Sequence, residues 1–388
     1  MKTTRRELLK IMGRGACTVG SLPLVLKALG IIDNPVFADE SYPEAKYYKK
    51  LSGKRVQCTL CPMEHVLANG ERGPCRTREN HQGTLLTHAY NNPAIIKIDP
   101  MEKLPSTHFL PDTKTLTIAT GGCNLHCLYC QNWQQSQSRP EDLKTIDLSA
   151  VEAVKQALGK EIKTIAFSYT EPFMFYEYAI EIAKKAKEKG MRIAIATGGY
   201  INEKPLLELC KHADIITVGL KAFTEECYEK LTERSLEHVL ETIKTIKKGS
   251  LEKGKKKEKE KLPCLEITNL IVPTYNDKKK MIREMCQWIK KELGEDVPLH
   301  FGRFVPRYKL KNLPQAPLRS LEEAREIAFE EGIRFVYLSN VAPHDGNNTY
   351  CPKCKKAIIK RIGFKVLENN LKDGKCKFCD QKIPGVWK

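Results

Sequence analysis

From about residue 115 to 340 the chain alternates short runs rich in β-branched residues with longer amphipathic stretches. That is the pattern of βα units, which build a parallel sheet flanked by helices. It predicts strands over 116–120, 164–169, 192–197, 215–220, 265–272, 298–304 and 333–338, and helices over 149–158, 174–189, 203–211, 236–247, 279–293 and 320–331. The fold class expected is α/β, a partial-to-full (βα) barrel over 115–345. Small cysteine-rich appendages flank it: a cap over 39–114 and a metal knuckle over 346–388. In such folds chemistry sits where strands end and loops begin, and most of the motifs below fall at those ends.

At 388 residues, with 41% hydrophobic and 29% charged positions, the chain lies far from the composition of intrinsic disorder. Its longest apolar stretches are broken by Lys27 or by prolines, which excludes a multi-span membrane protein. The net charge of +18 is localised: residues 1–38 carry +4, 244–261 carry +6 and 351–388 carry +8, so the remainder is neutral. No continuous basic face along a phosphate backbone is expected, and no specific nucleic-acid partner. The lysine-rich stretch over 247–261 reads as a solvated loop; docking of an acidic partner is the rival reading.

At the start, Thr4-Arg5-Arg6-Glu7-Leu8-Leu9-Lys10 precedes a mildly apolar run from Ala16 to Ile32 and a Val36-Phe37-Ala38 step of the kind suited to signal cleavage. Residues 1–38 resemble a twin-arginine export signal. The expectation is export or membrane association, with a cytoplasmic location and a basic amphipathic helix as the alternative. Gly, Ser, Pro and Lys27 interrupt the run too often for a spanning helix. Cys17 reads as an ordinary residue of this segment.

Fifteen cysteines are more than a core needs and too few for a disulfide scaffold, so their spacing carries the information. Gly121-Gly122-Cys123-Asn124-Leu125-His126-Cys127-Leu128-Tyr129-Cys130-Gln131-Asn132-Trp133 follows directly on the first barrel strand. Thiols spaced C-x3-C-x2-C can wrap one face of a cubane cluster and leave one iron without a protein ligand. The glycines allow the tight turn such a loop requires. A zinc site with a fourth ligand from elsewhere, or three buried cysteines, are the blander readings.

On this motif the chain resembles the radical S-adenosylmethionine (SAM) superfamily. More narrowly it is similar to the pyruvate formate-lyase activating enzymes, and within their relatives to the radical SAM member of the AmmeMemoRadiSam system. The similarity extends over Cys58-x-x-Cys61-Pro62, Tyr169-Thr170-Glu171-Pro172, Leu220-Lys221-Ala222-Phe223, Pro298-Leu299-His300-Phe301 and Ile383-Pro384-Gly385-Val386-Trp387. It implies a 4Fe-4S cluster on Cys123, Cys127 and Cys130 and an S-adenosylmethionine chelated to the fourth iron. An electron from a donor such as a flavodoxin or ferredoxin then cleaves the sulfonium to a deoxyadenosyl radical. Thr170 and Glu171 are implied to meet the methionyl ammonium, with Tyr129 and Pro172 in the cofactor's surroundings. Thr197, Gly198 and Gly199 end the third strand, where backbone amides can approach a carboxylate or ribose. Lys221 is a candidate contact to cofactor or substrate. Relatives usually carry Asp-Leu-Lys where this chain has Gly219-Leu220-Lys221, which puts that lysine's partner, and any glycyl-radical activase role, in doubt. Glu266, Asn269, His300 and Arg303 face either the barrel lumen or the helices.

Cys351-Pro352-Lys353-Cys354 and Cys376-Lys377-Phe378-Cys379, twenty-one residues apart, read as a zinc ribbon with a slightly long gap or as an auxiliary Fe-S cluster. Two disulfides are a further possibility in an exported protein. Cys58, Cys61, His65 and Cys75 form a third set; relatives typically have cysteine at His65, so zinc on three cysteines and a histidine competes with metal-free packing. Cys210, Cys227, Cys264 and Cys286 lack partner spacing and read as core residues. The expected function is a radical SAM enzyme acting on a protein or small-molecule substrate. A non-catalytic Fe-S electron carrier or a zinc-ribbon nucleic-acid adaptor is the contrasting reading.

Overall fold

A computed structural model describes residues 42–249 and 262–388. The export-signal segment with Cys17, and residues 250–261 of the lysine-rich loop, lie outside them. Eight strands form the central sheet: β1 (Ile95–Pro100), β2 (Lys114–Ala119), β3 (Thr164–Phe167), β4 (Arg192–Thr197), β5 (Ile215–Gly219), β6 (Cys264–Ile271), β7 (Leu299–Arg303) and β8 (Val336–Ser339), in that spatial order. β1 runs antiparallel to β2, and each later neighbour pairs parallel. β1 and β8 are the two edges, so the barrel is partial.

Helices α1 (Ala150–Leu158), α2 (Tyr176–Glu188), α3 (Glu203–Cys210), α4 (Glu225–Thr232), α5 (Leu236–Lys248), α6 (Lys279–Leu293) and α7 (Leu318–Glu330) connect the strands. The sequence explains their ends. Ser149 caps α1 in a reciprocal capping box with Glu152, and Thr224 accepts from Cys227 N–H at the start of α4. β3, β5 and most of β7 are buried along their length, as expected of strands covered on both faces. One apolar cluster joins these strands to the helices through residues such as Phe167, Ile216, Ile267, Leu299 and Ile289. Among the described residues no helix is long and apolar enough to cross a membrane.

Two features were not legible in the pattern. β1 lies inside the stretch read as the cap, yet pairs with β2 over six residues. The segment after it then turns inward: Met101, Leu104 and Phe109 pack on Ala166, Ala194 and Ile215 from β3, β4 and β5, apart from the main core. This segment plugs the sheet's concave side. It is pinned from the far end of the chain, where Val386 N–H donates to His108 O at 2.8 Å and Leu110 N–H to Val386 O at 2.7 Å.

The cap contains an antiparallel sheet of Tyr48–Lys50, Val56–Cys58 and Val66–Leu67 and a hairpin of Arg78–His81 with Thr84–Thr87. A buried ion pair between Arg78 and Glu177 of α2, 2.6 Å long, ties it to the barrel. At the other end, Thr349–Tyr350 pairs with the hairpin β9 (Ala357–Ile362) and β10 (Lys365–Asn369), and a short ladder of Leu371–Lys372 with Lys375–Cys376 completes the knuckle.

Candidate active site

Past β2 the chain enters the cysteine loop through Gly122, whose φ of +91° is a region that side chains disfavour. A Cβ there would lie 2.3 Å from Thr77 Cγ2 and 2.7 Å from Cys75 O, so glycine is what lets the loop turn against the cap. Beyond it the loop is held from several sides. Asn124 Nδ2 donates to Tyr200 O at 2.7 Å, Arg234 Nε to Asn124 O at 2.5 Å, and His126 and Leu128 N–H to Thr232 and Leu231 at the end of α4, each at 3.0 Å. Cys123, Cys127 and Cys130 are half-buried and line one cavity of about 480 Å³, within the size of small-molecule sites. Thr170, Glu171, Thr197, Gly198 and Lys221 line the same cavity.

The end of β3 explains how Glu171 gets there. Tyr169 takes a φ of +67°, a left-handed conformation that few residues adopt. Asp99 Oδ2 accepts from its hydroxyl at 2.6 Å, Lys103 Nζ donates to that hydroxyl at 2.8 Å, and Asn132 Nδ2 donates to its carbonyl at 2.8 Å. The chain so bent carries Thr170, whose hydroxyl donates to Thr120 O at 3.0 Å, and Glu171 into the cavity wall. Glu171 Oε1 accepts from Thr197 Oγ1 at 2.6 Å and Oε2 from Gly198 N–H at 2.8 Å. Burial pushes this carboxyl up, against those hydrogen bonds.

Those bonds show where the amides at this strand end go. The Gly198 amide, expected to meet a ligand, is taken by Glu171, and the Gly199 amide donates to Thr197 Oγ1 at 2.9 Å. Tyr129 is buried in the core, its hydroxyl without a hydrogen-bond partner, and Tyr129, Pro172 and Gly199 are not part of the cavity wall. Pro172 opens the turn Pro172–Phe175.

Lys221 gains a physical account of its missing aspartate. A Cβ on Gly219 would lie 2.3 Å from Lys221 Nζ, so the ammonium occupies the space a side chain would take. From there its charge opposes the burial that raises Glu171 and Cys127. Burial still pushes the Cys127 thiol up to about 12 and the Cys123 thiol well up, with Glu171 adding to the latter. Ligation needs thiolates, so loading a metal here releases protons.

Glu266 and His300 face the lumen, Nε2 to Oε2 at 2.7 Å, where Glu266 also accepts from the Thr107 and His108 amides of the plug. Asn269 Nδ2 donates to Leu220 O, and Arg303 Nε to Ala316 O, so these two brace the backbone. Asp99, Lys103, Asn340 and Phe364 line the cavity too; no motif marked them.

The terminal cysteine sets differ. Cys351, Cys354, Cys376 and Cys379 have sulfurs all within 4.8 Å of one another, with Cys351–Cys379 at 3.6 Å and Cys354–Cys376 at 3.7 Å. Four thiolates about 2.3 Å from one zinc ion sit about 3.8 Å apart at the corners of a tetrahedron. Among the described residues this is the one such group. Cys58, Cys61, His65 and Cys75 line a shared cavity beside Arg78 and Asn124. Cys210 and Cys286 are buried in the core as expected.

The profile of the Radical SAM superfamily matches residues 117–289. An uncharacterized protein of Methanocaldococcus jannaschii, MJ0808, is 39% identical over 342 residues, 88% of this chain and 98% of that one. A pyruvate formate-lyase-activating enzyme of Clostridium pasteurianum is 28% identical over 195 residues, 46% of this chain and 72% of that one. A crystal structure of Streptococcus suis SuiB bound to precursor peptide SuiA aligns with a TM-score of 0.46 and 11% identity, over 63% of this chain and 52% of that one.

Proposed function

We propose, starting from a chain that belongs to the radical SAM superfamily, that this enzyme carries a 4Fe-4S cluster on Cys123, Cys127 and Cys130 and, through it, abstracts hydrogen from a protein or small-molecule substrate. The observation that carries the reading is the convergence of three thiols with the carboxylates of Glu171 and Asp99 and the ammonium groups of Lys221 and Lys103 on a single cavity. Bound cluster and S-adenosylmethionine together would supply the low-potential one-electron chemistry. The chain's own part is placement. Glu171 presents a fixed carboxylate to a cationic ligand, and Thr170 and Thr197 hold the strand ends on either side of it. Lys221 offsets the negative charge gathered by the thiolates. The glycine-hinged loop keeps the sulfurs on one wall.

Anaerobically reconstituted enzyme given dithionite and S-adenosylmethionine is expected to release 5'-deoxyadenosine, and Cys127→Ala to abolish the release. An iron-loaded wild type that cycles electrons but consumes no S-adenosylmethionine would leave an electron carrier in its place. The near-tetrahedral sulfurs of the knuckle support one structural zinc ion there, for which metal analysis should return one zinc per chain beside cluster iron; iron in its place with matching sulfide refutes it. Export rests on residues 1–38 alone, and fractionation of cells expressing Arg5→Lys/Arg6→Lys tests it; a distribution like wild type refutes it.

A further inference from the structure

In the knuckle, β10 is the last strand of its three-stranded sheet and pairs on one side only, with β9. Its other side presents a row of backbone N–H and C=O groups to which another strand can add. Such edges are usually guarded by charge, proline or a cover. Here Lys365 stands at the start of the strand, but the large apolar side chains around it are not covered: Ile362, Phe364 and Leu367 are 49%, 41% and 50% exposed. The hairpin also adjoins the reaction cavity. Phe364, in the turn between β9 and β10, stands in the wall of the cavity lined by Cys123, Cys127 and Cys130.

Charge selects what can lie on this edge. Residues 351–388 carry +8, and four thiolates on one zinc ion would offset only two of those charges. Of the knuckle's few carboxylates, Glu368 is already paired with Lys360 at 2.9 Å and Asp373 with Lys388 at 2.6 Å. Lys365 is exposed on the strand, and Lys377, which donates to Asn370 just past its end, adds a second ammonium. A second copy of this chain would bring the same positive surplus against itself. A nucleic acid would meet the charge but has no main chain to continue the ladder. An extended peptide bearing carboxylates matches both features.

We infer that β10 is a docking edge for an extended acidic segment of a substrate protein, which pairs with Lys365–Asn369 and packs apolar side chains on Ile362, Phe364 and Leu367. At about 3.3 Å per residue the strand aligns about 16 Å of peptide. One end of that peptide lies at Phe364, so the residue next along it is offered to the cavity. The inference narrows the substrate of the radical SAM reading to a protein and rests on that reading for its role, though not for its test.

Fluorescence anisotropy tests it on the metal-loaded enzyme, without S-adenosylmethionine or reductant. The probes are three labelled ten-residue peptides: alternating glutamate and valine, the same sequence N-methylated at every residue, and alternating lysine and valine. The acidic peptide is expected to saturate a single site, and the N-methylated and lysine peptides to bind at least tenfold more weakly. Lys365→Glu and Leu367→Asp should each weaken the acidic peptide about tenfold, with metal content and far-ultraviolet circular dichroism unchanged; the three-peptide comparison on wild type stands whatever the variants do. No saturable binding, or equal affinity for the N-methylated peptide, overturns the assignment. So does displacement of the peptide by phosphatidylserine vesicles, or sedimentation as a dimer that Leu367→Asp separates, since each gives the edge to another occupant. Release of 5'-deoxyadenosine is scored separately: release without peptide binding refutes the docking edge alone, and peptide binding without release refutes the radical SAM reading alone.

Discussion

Lowering the pH from 7 to 5 is expected to loosen the plug through one residue, His108. Its ring is buried, edge-on to Phe335 with centroids 4.5 Å apart and tilted to Trp387 at 5.2 Å. Nδ1 lies 2.6 Å from Pro384 O, which can only accept, so Nδ1 carries the proton and Nε2 is left to accept from the Tyr337 hydroxyl at 2.7 Å. Burial, opposed in part by Glu266, lowers this imidazole from 6.5 to about 4. The folded-state value is depressed, so the neutral ring is the stable one. An opened plug takes up a proton below about 6.5 while the closed plug refuses it until about 4; stability is complete above that window and lost as the pH falls through it. At about 1.36 kcal/mol per pH unit the whole window amounts to about 3 kcal/mol, of which about 2 kcal/mol is gone at pH 5. The Leu110 and Val386 amides, which join the plug to the C-terminal tail, report the opening in hydrogen exchange. Corrected for intrinsic rates, their protection should fall about 30-fold more between pH 7 and 5 in wild type than in His108→Gln, which keeps a donor and an acceptor but no titrating ring. An equal fall in the two proteins refutes the reasoning, because the proton would then be taken up elsewhere.

Gly219→Ala is expected to push the Lys221 ammonium off its strand, since the new Cβ would sit 2.3 Å from Nζ. The lysine end is flexible, so the fold survives and 5'-deoxyadenosine release falls about tenfold as the charge balance at Cys127 and Glu171 is lost; an unchanged rate removes Lys221 from the site. Gly122→Ala meets backbone as well as a side chain and is held at positive φ, so a loss of about 1–3 kcal/mol of stability is expected in thermal unfolding. Cys376→Ser should cost the chain one metal ion and shift Trp387 emission to the red, because that ring packs in the small core built around the four sulfurs; unchanged metal content and emission argue against a metal-held knuckle.

The fold was legible where one periodicity ruled a long stretch. α6 matches its expected span from Lys279 to Leu293, and β4 matches 192–197, because an amphipathic helix writes its period into the residue order and a strand buried on both faces writes a short continuous apolar run. β1 was missed for the converse reason: Ile95-Ile96-Lys97-Ile98-Asp99-Pro100 half-faces solvent, ends on a proline and pairs at an edge, so its apolar content is diluted. α4 was missed because Glu-Glu-Cys-Tyr-Glu-Lys-Leu-Thr buries only Tyr228, Leu231 and Thr232. At the site, Cys123, Cys127, Cys130, Thr170, Glu171 and Lys221 share a cavity because each sits at the end of a strand the pattern had located. Arg361 reaches Thr107 across 254 residues, and no local spacing encodes such a meeting.

Sulfur spacing in space separates cysteine sets that spacing in sequence leaves alike. C-x-x-C occurs at Cys58–Cys61, Cys127–Cys130, Cys351–Cys354 and Cys376–Cys379. What differs is the second pair. In the knuckle the β9–β10 sheet and the ladder after it bring two such pairs face to face, with all four sulfurs within 4.8 Å and two cross-pair distances of 3.6 and 3.7 Å close to the edge of a zinc tetrahedron. In the loop after β2, Cys123 is the third thiol and the facing wall offers Glu171 and Lys221 instead of a fourth. A cubane puts each thiolate on a different iron, which spreads the sulfurs more widely than one ion does, so the compact set of the knuckle has the spacing of a single-ion site. The architecture that presents the second pair, more than the motif itself, decides which metal chemistry a cysteine pair serves.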